Sequence, residues 1–122
     1  MSDTFDWKKS LLHSLSESIS EVECLLIINS VGSVIEYKIS DIHKNKGDYQ
    51  ILEKMARKVS LRFKIVEFDE EFGGLFITVN ILKRNIMIVK SLTKEYTLIV
   101  LLPKESSIDK TLKILSTTKT NR

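Results

Sequence analysis

At 122 residues, with 43% apolar and 29% charged side chains, the chain has the size and composition of one globular domain, 1–122, able to bury a core without metal or disulfide. A single cysteine, Cys24, excludes an internal disulfide and fits a reducing, cytoplasmic setting. The net charge is +3, and its placement matters more than its size: basic and acidic side chains balance through Pro103, and the excess comes from Lys104, Lys110, Lys113, Lys119 and Arg122 against Glu105 and Asp109.

In chain order, apolar residues at three- and four-residue steps predict an amphipathic helix over 4–22, with Trp7, Leu11, Leu15, Ile19 and Val22 inward. Ser2 or Asp3 is expected to cap it. Cys24 to Ile28 is a nearly unbroken apolar run and predicts a strand buried on both faces. Asn29-Ser30-Val31-Gly32 reads as a turn, Ser33 to Ile39 as the returning strand, and Asp41 to Gly47 as a polar loop.

Residues 48–72 contain no Gly or Pro and precede Gly73-Gly74, a helix stop. At 100° per residue, Ile51, Leu52, Met55, Ala56, Val59, Phe63 and Val66 share one apolar face. Leu61, Ile65, Phe68 and Phe72 form a second, roughly opposite, with the polar residues Glu53, Arg57, Ser60, Lys64, Glu67 and Glu71 between them. A second apolar face calls for a second surface, from the same chain or another. A competing reading ends this helix near Arg62 and makes Phe63 to Phe68 a strand.

Three strands follow: Leu75 to Leu82, Ile86 to Leu92, and Tyr96 to Leu102, the last again apolar throughout and stopped by Pro103. Ser106 and Asp109 have capping-box spacing before a final helix with Ile108, Leu112 and Leu115 inward, and 117–122 is expected to fray. The expected fold is therefore α+β: a five-stranded antiparallel sheet with elements in the order α-β-β-α-β-β-β-α. The two apolar strands lie side by side in its middle, the first and last helices cover one face and the long helix the other.

Three stretches in this order, LLIINSVGSVIEY at 25–37, EEFGGLFITVNIL at 70–82 and YTLIVLLPK at 96–104, resemble the Roadblock family of dynein-light-chain-like domains over nearly the whole chain. Longin and profilin-like domains share much of the architecture, but the helix placed before the first hairpin fits Roadblock better than longin. The resemblance implies pairing of two copies, or of two different Roadblock-type subunits, through their third strands, with the long helices packed together. On this chain the implied interface is Leu61, Ile65, Phe68, Phe72, Leu75, Ile77 and Val79. It also implies a scaffold or regulator of small Ras-like GTPases, or of trafficking and motor complexes, with no catalytic site of its own. Glu53, Arg57, Lys64, Glu67 and Glu71 are the candidate partner surface, although such a stripe is equally read as a plain solvated helix face.

The residues themselves offer little chemistry. No phosphate-cradling glycine pattern is present, His13 and His43 lack partners at metal-ligand spacing, and Cys24 opens a buried strand. No cofactor and no metal are expected. The polar start, with Asp3 and Asp6, is expected to carry no secretion signal, and no apolar run reaches the roughly 20 residues of a membrane span. Two further functions stay open: activation of a GTPase in its own right, with Arg57 supplying charge in trans, and nucleic-acid binding by the basic segment 104–122. Salt-sensitive retention on DNA or RNA would mark the latter, although the segment reads more simply as a solvated helix and tail, and no nucleic-acid partner is expected.

Overall fold

The computed structural model describes residues 6–39, 48–67, 77–93 and 95–118. Its elements are α1 (Trp7–Ser18), β1 (Cys24–Asn29), β2 (Val34–Ile39), α2 (Asp48–Glu67), β3 (Ile77–Ile81), β4 (Asn85–Ser91), β5 (Tyr96–Pro103) and α3 (Ile108–Thr117). The five strands form one antiparallel sheet in the order β2-β1-β5-β4-β3. The two apolar runs, β1 and β5, pair from Cys24↔Leu101 to Asn29↔Tyr96, so strands buried on both faces lie away from the edges.

Two cores follow from the period-two alternation of side chains. On one face Leu25, Ile27, Ile86, Ile88, Leu98, Val100 and Leu102 pack with Leu12 and Leu15 of α1 and Leu115 of α3. On the other, Cys24, Leu26, Ile28, Met87, Val89 and Ile99 pack under Leu52, Ala56 and Val59 of α2. At about 1.5–3 kcal/mol for each fully buried aliphatic side chain, these layers are the main source of stability. The helix assignment of 63–67 holds, since α2 runs unbroken to Glu67. The expected loop 41–47, and the expected helix end and strand start over 68–76, lie outside the described residues.

Several local expectations are corrected. α1 starts at Trp7, and its cap is Asp6, whose Oδ1 accepts from the backbone N–H groups of Lys8 and Lys9 at 3.2 and 3.5 Å, in place of Ser2 or Asp3. The helix ends at Ser18, although Ile19 remains buried. Ser107 rather than Ser106 precedes α3 and makes no side-chain cap; the N–H of Ser106 donates to the carbonyl of Pro103 in the preceding turn. Thr117, where the frayed end is expected to begin, is the last residue of α3, and its hydroxyl donates to the Ile114 carbonyl at 3.0 Å. Ile51, assigned inward, is 62% exposed, because on the helical wheel it lies about a quarter turn off the line of Leu52, Ala56 and Val59.

Candidate protein-interaction surfaces

The turn between β1 and β2 is built from Asn29, whose Oδ1 accepts from the N–H groups of Val31 and Ser33, and from Gly32 at φ +84°, a left-handed conformation that glycine adopts without strain. The turn presses on α2. A Cβ added at Gly32 would lie 3.1 Å from both the Cα of Arg57 and the Cβ of Ser60, and the Ser60 hydroxyl donates to the Ser30 carbonyl at 3.1 Å. Within the candidate partner stripe, Arg57 is therefore an exposed side chain on a backbone held against the hairpin, and Glu53 is half-buried one helical turn before it. Lys64 and Glu67 fall in the last turns of α2, and Glu71 lies outside the described residues.

The expected interface set is divided by the sheet. Leu61 is 75% exposed and lies on the side of α2 turned away from Leu52, Ala56 and Val59. Ile77 and Val79 are on the opposite side of the molecule: they pair directly with Lys90 and Ile88, and Ile88 belongs to the core under α1 and α3. Ile65 falls in α2, whereas Phe68, Phe72 and Leu75 lie outside the described residues.

Ile81 was not among the expected interface residues. It continues the row of Ile77 and Val79, pairs with Ile86, and is 69% exposed. The alternate residues of β3, Thr78 and Asn80, are half-buried on the α2 side, where the Asn80 amide donates to the Thr78 hydroxyl and the Met87 carbonyl.

The sheet's two edges differ in kind. β2 carries an irregularity between Ile27↔Glu36 and Ile28↔Val34 that leaves Ile35 as an extra residue, and it bears Glu36 and Lys38. Bulges and charges are devices that discourage further pairing at an edge. β3 has neither: ITVNI pairs with β4 in unbroken register and holds no charged residue. Among the described residues, no strand pairs with the outer side of β3, and its apolar row lies on that same edge.

Catalytic groupings are sparse. Among the described residues, no group of His, Cys, Asp and Glu could hold a metal, and no helix is long and apolar enough to cross a membrane. His13 is exposed and pairs with Glu17 at 3.4 Å one helical turn away, and Cys24 is buried.

No protein-family model matches the chain, and no curated protein matches it in sequence. Solved structures do match. The gliding protein MglB from Thermus thermophilus aligns over 95% of this chain and 85% of its own, at TM-score 0.73 and 13% identity. A Roadblock/LC7 domain from Streptomyces avermitilis aligns over 93% and 91%, at TM-score 0.65 and 15% identity. MglC from Myxococcus xanthus aligns over 91% and 92%, at TM-score 0.68 and 10% identity. With the element order, the sheet order and the helices on both faces in agreement, the chain has the Roadblock-type fold.

Proposed function

We propose that this protein is a cytoplasmic, non-enzymatic scaffold, a single domain over 1–122, that pairs through β3 and in paired form holds or regulates a small Ras-like GTPase. The observation that carries the pairing is the contrast between edges: β2 is bulged and charged, whereas β3 is regular, uncharged and apolar on one side. A second Roadblock-type chain laid antiparallel along β3 would hydrogen-bond with its outer backbone groups and extend the sheet. The GTPase reading is supported by the Roadblock resemblance and the shared fold; because one fold serves many functions, it stands on experiment.

That experiment is a pull-down of Ras-like GTPases, loaded with GDP or with a non-hydrolysable GTP analogue, on the purified chain, with its solution mass measured by light scattering. The expected result is a dimer that retains a GTPase in a nucleotide-dependent way. A dimer that retains none in either state would overturn the GTPase reading, and a monomer at tens of micromolar would overturn homodimerisation.

A second reading, activation of GTP hydrolysis in trans, is favoured by Arg57, a guanidinium exposed to solvent on a backbone pinned by the hairpin turn. Arginines supplied in trans stabilise the charge that develops during phosphoryl transfer. Arg57→Ala would then abolish stimulated hydrolysis while leaving GTPase retention in place; stimulation unchanged in the variant excludes this role.

A further inference from the structure

The side of α2 turned away from the sheet carries charge of one sign. Lys54, Arg57 and Lys58 are exposed, and from Gln50 to Leu61 no acidic residue is, since Glu53 is half-buried. Among the described residues none of the three cations makes an ion pair. Lys54 and Lys58 stand one helical turn apart, a like-charge neighbourhood that costs a helix stability. The other helices mix signs at their exposed positions, Lys9 with Glu17 on α1 and Asp109 with Lys110 and Lys113 on α3.

The same side of α2 also carries exposed aliphatic groups. Ile51 is 62% exposed and Leu61 75%, and ten residues of helix set them about 15 Å apart with the cations between them. Val31, 74% exposed, stands on the β1–β2 turn beside the flank of α2 that bears Arg57. Its N–H donates to Asn29 Oδ1, and Gly32 next to it presses on α2, so the turn holds the side chain outward.

We infer that this face of the folded domain docks on an anionic lipid surface, with Lys54, Arg57 and Lys58 against the headgroups and Val31, Ile51 and Leu61 resting among them. Each cation near an anionic leaflet strengthens binding roughly fivefold, so three on one face act together. Separated aliphatic tips suit a fluid surface, which receives them without matching pockets. Nucleic acid fits less well, because base stacking uses aromatic rings and α2 has none between Gln50 and Leu61. Lipid docking needs neither strand pairing nor a GTPase, so its failure and theirs are read separately.

The test is co-sedimentation of the full chain, at near-physiological salt, with vesicles of phosphatidylcholine containing about a third phosphatidylserine, beside vesicles of phosphatidylcholine alone. Retention is expected on the mixed vesicles and not on the neutral ones. K54E/K58E should bind at least tenfold more weakly, and Val31→Ser about threefold. K110E/K113E, the same change of net charge placed on α3, should bind as the wild type does, and circular dichroism checks that every variant is folded. No retention on the mixed vesicles, retention unchanged in K54E/K58E, or an equal loss in both charge variants overturns the docking face. Unchanged binding of Val31→Ser reduces the face to charge alone and overturns it too. Tighter binding of single-stranded DNA or of a glutamate-rich peptide, lost in K54E/K58E, assigns the face to another partner and has the same consequence.

Discussion

The hydroxyl of Ser60 donates to the carbonyl of Ser30 at 3.1 Å, joining two residues thirty positions apart and locking the first hairpin to the long helix. The neighbouring glycine is the tighter constraint. Gly32→Ala forces a Cβ into a positive-φ position and against Arg57 and Ser60. Its expected cost is about 1–3 kcal/mol by urea denaturation, because strain and crowding act together. Ser60→Ala, which removes one hydrogen bond at a half-buried position, should cost about 1 kcal/mol or less. Equal effects would mean that the close approach at Gly32 is easily relaxed.

The edges of the sheet should respond unequally to charge. A lysine at Val79, on the open edge, is expected to halve the solution mass measured by light scattering while circular dichroism stays native. A lysine at Ile35, the extra residue of the bulged edge, should leave the mass unchanged. Loss of pairing in both variants, or in the Ile35 variant alone, would assign the interface elsewhere.

At the opposite end of the strands from the hairpin turn, the Asn85 amide donates to Glu23 Oε1 at 2.9 Å and to the Leu102 carbonyl at 3.1 Å. One side chain therefore ties the start of β4 to β5 and to the residue preceding β1. Asn85→Ala is expected to cost about 1–2 kcal/mol, since it removes both bonds at a half-buried position. Glu23→Gln, which keeps an oxygen acceptor, should cost less than half as much; the same denaturation series checks both.

Trp7, the sole tryptophan, meets Tyr96 edge-on with centroids 5.8 Å apart, and the Lys8 ammonium stands 5.1 and 5.0 Å from the two rings. Tryptophan emission thus reports the contact between α1 and β5. Tyr96→Leu should shift that emission and cost about 0.5–1.5 kcal/mol. Lys8→Met should cost no more than about 1 kcal/mol. A wild-type unfolding curve in which emission changes well before circular dichroism would show that α1 detaches on its own.

The middle of the fold was legible because β1 and β5 are each apolar nearly throughout, a pattern suited to a strand covered on both faces. Helix starts were less so. Asp3 and Asp6 are equivalent as sequence signals, and only the backbone geometry selects Asp6. Similarly, Ser106 has capping-box spacing, but the N-cap position falls one residue later, at Ser107. The apolar row of β3 was visible as alternation, but which helix layer it shares depends on pairing Ile81 with Ile86, a long-range register that local pattern does not contain. Leu61 joins Ile77 and Val79 in the expected interface through the Roadblock resemblance, which pairs both the third strands and the long helices, and the sheet places Leu61 on one side and Ile77 and Val79 on the other. The open nature of the β3 edge becomes a contrast only once the bulge at Ile35 is seen on the other side.

That bulge governs how large an assembly the chain can build. A sheet elongates strand by strand, so a subunit open at both ends is a monomer for polymerisation, with a valence of two. Here Ile35, Glu36 and Lys38 discourage pairing at one end, and the pairing proposed through β3 would give the subunit a valence of one. Two subunits joined at β3 would present only their β2 edges outward. On that proposal, raising the concentration would fill pairs and not lengthen filaments, so the protein could be kept at high abundance without seeding fibres.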